Sequence, residues 1–310
     1  MRLLATLAAF LFSGIVLATP LHNIVVFGDS LSDNGNLYEF MNHQLPPSPP
    51  YFKGRFSNGP VWIEHLAAAY FPKDPGAHLL DYAYGGAGVS SDEDDDDVLF
   101  TLRREVKDYL AAHQNKASVD SLYVVWIGSN NYLALPTEVE KTLRDVNDGI
   151  TESLQRLADR GAKHILVVNI PDLGSTPAAI EFEAIDTMSY FSQEHNSLLN
   201  NTLANLKQKY PDVEWLFFDM NQSFNDVVAN PQVYGFNNIN GSCIDLMNDN
   251  FAKKSVLNLV RAVKPQQIKR DACDGYLFFD LVHPTAVAHE LLADKAKKAL
   301  DEAGVTFKEE

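Results

Sequence analysis

Five short apolar runs, each followed by a longer stretch of different periodicity, restrict this chain more than any other feature. They lie at Ile24–Phe27, His78–Ala83, Ser121–Ile127, His164–Ile170 and Val213–Asp219. Between them, Val61–Tyr70, Val98–Ala112, Thr137–Arg160 and Pro177–Lys209 carry apolar residues at helical spacing, the last in one or two pieces. Asp33–Gln44 holds a shorter helix, and Pro284–Ala303 closes the chain with another. Strands that alternate with helices join by right-handed crossovers into a parallel sheet covered on both faces. The class is therefore α/β, a three-layer α/β/α sandwich around a five-stranded parallel sheet. No Gly/Ser linker divides it. Residues 19–310 read as one domain with a Cys-bracketed insertion at about 243–273.

Open parallel sheets bind ligands at the carboxyl ends of their strands. The first run stops at Gly28, and the residue presented next is Ser30. A serine hydroxyl attacks only when a base takes its proton. Three later stretches supply what it would need, each at a strand end or in a loop before a helix. Tyr84-Gly85-Gly86-Ala87-Gly88 can bring a backbone N–H close to a ligand. Gly128-Ser129-Asn130-Asn131 offers a side-chain amide, and Asp280-Leu281-Val282-His283-Pro284 a carboxylate and an imidazole three apart. Singly these are an ordinary turn, a helix cap and a structural pair. In a doubly wound sheet their ends share one edge, so which reading holds depends on whether the four stretches belong to one pattern.

Gly28-Asp29-Ser30-Leu31 and these three blocks resemble the GDSL, or SGNH, hydrolase superfamily. Gly54-Arg55-Phe56-Ser57-Asn58-Gly59 with Trp62 resembles one branch of it, which includes secreted bacterial phospholipases, acyltransferases and plant lipases. Within that branch the chain is most similar to secreted bacterial lysophospholipases A of the kind known from Legionella. The resemblance implies a flavodoxin-like sheet and ester hydrolysis through an acyl-serine. It implies Ser30 as nucleophile, His283 as acid and base, and Asp280 as its orienting partner. The oxyanion donors would be the Ser30 N–H, the Gly86 N–H and the Asn130 side chain, with Gly85 the alternative register. Asn131 stands where the family usually has Asp. No cofactor and no metal are implied. The expected substrate is a lysophospholipid or phospholipid, met at a membrane or micelle surface. Some relatives also pass the acyl group to a sterol. A carbohydrate O-acetyl esterase and a non-catalytic exported binding module are the rival readings.

Residues 1–18 read as a signal peptide. Arg2 gives the positive start, Leu3–Leu17 the apolar core, and Val16-Leu17-Ala18 the small-residue cleavage site. The product, beginning at Thr19, is expected to be secreted, extracellular or periplasmic. A formal net charge of −16 argues against nucleic acid as a partner. Two cysteines in an exported chain point to one disulfide, Cys243–Cys273. The loop they bracket reads either as a staple or as a lid on the active-site edge, open to an activating protease. Asp92–Asp97, an unbroken acidic run, reads as a solvated loop. The aromatics of Tyr51–Trp62 either line an entrance favouring long acyl chains or form a core patch beneath a loop. His22, His65 and His164 are scattered and read as packing or surface residues.

Overall fold

The computed structural model describes residues 20–90, 100–244, 256–263, 265–267 and 271–308. The proposed signal peptide and the acidic run 92–97 lie outside them. Five parallel strands form the sheet: β1 (Asn23–Gly28), β2 (Leu79–Asp81), β3 (Ser121–Trp126), β4 (His164–Val168) and β5 (Glu214–Phe218). Their spatial order is β2-β1-β3-β4-β5. Chain direction across the sheet reverses at β1, so the loops after β1 and β3 diverge and leave a crevice between them.

Strand side chains alternate between two cores because successive residues face opposite sides of a pleated strand. Val25, Phe27, Tyr123 and Val125 join one core with the helices Leu102–Ala112, Val139–Asp159 and Ile185–Lys209. Ile24, Val26, Val124 and Trp126 join the other with the helices Trp62–Tyr70 and Ala286–Glu302. Both faces are apolar, which explains why the strand sequences are continuous hydrophobic runs.

Several expected elements are shorter than their sequence patterns. Asp33–Gln44 contributes only the helix Asn36–Phe40. The Asp33 carboxylate takes the N–H groups of Gly35, Asn36 and Leu37 and so starts it late, and Asn42 and His43 take positive φ beyond its end. The helix expected from Val98 begins at Leu102, where Thr101 caps it by accepting from Arg104 N–H. Pro177–Lys209 divides into Pro177–Glu181 and Ile185–Lys209. Glu183, at φ 51°, makes the break.

The stretch 221–276, whose sequence periodicity is weak, is nonetheless ordered over much of its described part. It contains the helices Met220–Ala229 and Val256–Arg261 and the strand β6 (Asn238–Ser242). β6 pairs in parallel with β7 (Tyr276–Phe278), which leads straight into Asp280 and His283. Its short, interrupted register is too brief to leave a periodic signal.

Cys243 and Cys273 are joined in a disulfide, their Cα atoms 5.3 Å apart. The bond ties the end of β6 to the approach of β7 across 30 positions of chain. In the loop-closure account its removal, by Cys243→Ser, lowers the unfolding free energy by about 3.6 kcal/mol. Denaturant titration reads this as a lower midpoint; an unchanged midpoint would show that the bond constrains nothing.

Candidate active site

β1 ends at Gly28 because nothing larger fits. A Cβ there would lie 2.5 Å from the Trp126 carbonyl oxygen on β3. The Asp29 carbonyl then accepts from the N–H groups of Ser32 and Asp33, and the Asp29 carboxylate accepts from Leu31 N–H. This turn holds Ser30 at the crevice between β1 and β3.

Ser30 Oγ lies 2.8 Å from His283 Nε2, and His283 Nδ1 lies 2.6 Å from Asp280 Oδ2. The three residues are 253 and 3 positions apart in sequence, and all are buried. Asp280 is held by four donors. Its Oδ1 accepts from Val282 N–H and His283 N–H, and its Oδ2 from His283 Nδ1–H and the Tyr51 hydroxyl. Burial pushes its carboxyl up, but the His283 charge and these hydrogen bonds outweigh burial and hold it below the usual carboxylate range. The carboxylate therefore stays ionised, and the hydrogen bond it accepts keeps the proton on Nδ1 and leaves Nε2 to face the serine.

The other expected residues converge on the same edge. Gly85 donates its N–H to Asp33 Oδ2 at 2.7 Å, so it is already engaged. The next N–H, that of Gly86, meets no protein acceptor among the described residues. Gly86 sits at φ 78°, a left-handed conformation that favours glycine. Asn130 donates from Nδ2 to Ala87 O at 2.7 Å, which fixes its amide beside the Gly86 turn. Asn131 also has a part. Its Oδ1 accepts from Val89 N–H and its Nδ2 donates to Val89 O, tying the loop after β3 to the loop after β2. An Asp at 131 could make only the first of these bonds.

An apolar pocket opens beside the serine. Ser30, Leu31, Trp126, Asn130, Leu133, Leu173, Met220, Phe224, Phe278, Val282, His283 and Leu292 are among the residues lining it. The aromatic stretch does not form its entrance. Tyr51, Phe56 and Trp62 are buried, with the Phe56 ring centroid 5.2 Å from that of His283. The core-patch reading of that segment is the one that holds. Its aromatics say nothing about acyl-chain length.

Beneath the site lies a group of carboxyls that sequence reasoning missed: the buried Asp29, Asp33 and Glu105, with the half-buried Asp81 beside them. Burial pushes Asp29 and Asp33 each up to about 6, against the opposing pull of backbone N–H donors. Glu105 and Asp81 are raised well above the usual range, again mainly by burial. Glu105 Oε2 accepts from Gly28 N–H and Asp33 shapes the Gly85–Gly86 turn, so both carboxyls position backbone at the site. Nothing local marks them: Asp33 reads as a turn former and Glu105 as one charged residue on an amphipathic helix.

One segment of the Cys-bracketed insertion reaches this edge. Leu257, on the helix Val256–Arg261, packs so close to Gly86 that a Cβ there would lie 2.7 Å from its Cγ.

The family model for GDSL-like lipase/acylhydrolase matches residues 24–296. The phosphatidylcholine-sterol acyltransferase of Aeromonas hydrophila is 34% identical over 304 residues, covering 88% of each chain. The secreted effector protein SseJ of Salmonella typhimurium is 30% identical over 274 residues, covering 87% of this chain and 61% of that protein. Among solved structures, an acetylxylan esterase mutant from Geobacillus stearothermophilus superposes with a TM-score of 0.49 at 14% identity, covering 91% of this chain and 95% of that one. With the match running from the first strand into the last helix, this chain belongs to the GDSL-like lipase/acylhydrolase family.

Proposed function

We propose that residues 19–310 form an exported serine esterase that hydrolyses lipid acyl esters, lysophospholipids foremost. The observation that carries it is the Ser30–His283–Asp280 alignment opening onto an apolar pocket. Ser30 Oγ attacks the ester carbonyl as His283 Nε2 takes its proton. The oxyanion so formed accepts from the Ser30 N–H, the Gly86 N–H and the Asn130 amide, each donor worth about 3 kcal/mol of barrier. The tetrahedral species collapses, and His283 returns the proton to the departing alcohol. Water, deprotonated by His283, then cleaves the acyl-serine. An acceptor alcohol in place of water would give acyl transfer. The similarity to a phosphatidylcholine-sterol acyltransferase supports that side activity.

An apolar pocket suits an acyl chain, because burying each methylene contributes about 0.8 kcal/mol. The net charge of −16 disfavours adsorption to anionic lipid, so contact with a membrane or micelle would be brief and apolar. Leu257 against Gly86 supports the lid reading of the Cys-bracketed loop, with an activating protease as the partner that opens it. Residues 245–255, 264 and 268–270 of that loop lie outside the described residues.

Ester release from lysophosphatidylcholine, phosphatidylcholine and an acetylated sugar, measured side by side, tests the substrate class. Lysophosphatidylcholine is expected to give the highest kcat/KM. A preference for the acetylated sugar would move the protein to the carbohydrate esterases. Turnover of none, with no labelling by a serine-directed phosphonate, would leave a binding module.

A further inference from the structure

The Tyr51 hydroxyl sits 2.5 Å from Asp280 Oδ2, across 229 positions of sequence. That oxygen is the one His283 Nδ1 uses. Tyr51 is 2% exposed, and its ring packs edge-on against Phe279, with centroids 5.2 Å apart. The loop that carries it is pinned to the Asp280–Ala286 segment at two further points. Ser57 Oγ donates to Pro284 O, and Asn58 Oδ1 accepts from Ala286 N–H. The phenol is thus held against Asp280 from a separate part of the chain.

We propose that Tyr51 is a positioning residue of the active site, acting through Asp280 by donating its hydroxyl proton to the oxygen that orients His283. This rests on the serine-esterase reading given above. The chemistry follows from sharing one acceptor. A carboxylate oxygen that accepts a second hydrogen bond is a weaker partner for the first, because part of its charge is already answered. Tyr51 therefore moderates the attraction between Asp280 and the imidazolium formed at His283 when Ser30 loses its proton. It also fills the last acceptor position of a buried carboxylate and holds that carboxylate against His283. Burial and the Asp280 charge push the Tyr51 hydroxyl well above its ordinary range, so it remains a donor at working pH.

Other charges face His283 too. Asp29 and His289 both act on it electrostatically, and burial pushes the Asp29 carboxyl up to about 6. They are common to the parent and to any Tyr51 variant. A difference between the two therefore reports Tyr51.

Two variants test the proposal with opposite signs. Tyr51→Phe keeps the ring packing and removes the donor. The freed carboxylate then favours the imidazolium more, so the acid limb of kcat/KM moves to higher pH, by about half a unit or more. Incorporating 3-fluorotyrosine at position 51 makes a stronger donor in the same shape. The limb then moves to lower pH, and this variant decides the matter if Tyr51→Phe does not fold. KM is expected to stay within about twofold in both, since Tyr51 lies behind Asp280, away from the acyl pocket. The Nδ1 proton resonance of His283, followed by NMR, is expected to shift in both variants whether or not the protein turns over ester. Limbs and resonance unchanged from the parent would reduce Tyr51 to packing and overturn the proposal. Phosphonate labelling of the parent at Ser30 separates the two ideas: an unlabelled, inactive parent sinks the esterase reading, while a labelled parent with unmoved Tyr51 variants sinks only this one.

Discussion

Replacing Ser30 by alanine is expected to lower kcat/KM for a soluble test ester by at least about 10⁴-fold. The assignment rests on Oγ being the atom at 2.8 Å from His283 Nε2, beside the apolar pocket. Alanine removes the nucleophile but not the turn that holds it. That turn is built from the Asp29 carbonyl and carboxylate and from the fit of Gly28 against β3. Stability should therefore change by no more than about 1.5 kcal/mol, the worth of the single hydrogen bond to His283. A melting curve close to the parent's, with no covalent phosphonate adduct, is the expected pair of results. A folded Ser30→Ala protein that keeps activity within tenfold of the parent would remove Ser30 from the chemistry.

Asp280→Asn is expected to be nearly as severe, for a reason specific to the four donors around this side chain. The amide must put its NH₂ in place of one of the carboxylate oxygens. At Oδ1 it would face the N–H groups of Val282 and His283, which cannot turn away. At Oδ2 it would face His283 Nδ1 and the Tyr51 hydroxyl, and both of these can switch to accepting. The amide therefore settles with its nitrogen at Oδ2, and His283 answers by moving its proton to Nε2. That tautomer presents a donor to Ser30 where a base is needed, and the plateau rate falls by about 10⁴-fold. The residual activity should also titrate differently. Asp280, held below the usual carboxylate range, is ionised throughout the working range and favours the imidazolium. Without its charge, protonation of His283 is harder, so the acid limb moves to lower pH. This is opposite to the shift expected for Tyr51→Phe. An unmoved acid limb, with a plateau within tenfold of the parent, would take Asp280 out of the assembly.

The layers, the strand count and the edge on which the site lies were legible because local chemistry encodes them. The short apolar runs at Ile24–Phe27 and Ser121–Ile127, rich in β-branched and aromatic residues and each stopped by a glycine, read as strands covered on both faces. Gly28 ends β1 because only hydrogen fits against Trp126, and the residue that follows must turn. The roles expected of Ser30, Gly86, Asn130, Asp280 and His283 come from the family resemblance of their blocks, supported by their order, each at a strand end or in a loop before a helix. Element boundaries were less legible, because they depend on side chains that return to the backbone. Asp33 delays one helix, and Thr101 sets the start of another.

What only the tertiary structure decided was which distant groups share an oxygen or a wall. Tyr51 meets Asp280 across 229 positions, Glu105 meets Gly28 across 77, and Asp33 meets Gly85 across 52. In the sequence Tyr51 is one aromatic among several, and the entrance and core readings of its segment were equally open. The same holds for the pocket, assembled from β3, the loop after β4, the helix after β5 and the final helix. Periodicity records which face of an element is buried, since that depends on neighbours three or four residues away. It carries no record of the partner on the other side of the fold, because closing the sheet brings that partner in from a part of the chain with its own, independent pattern.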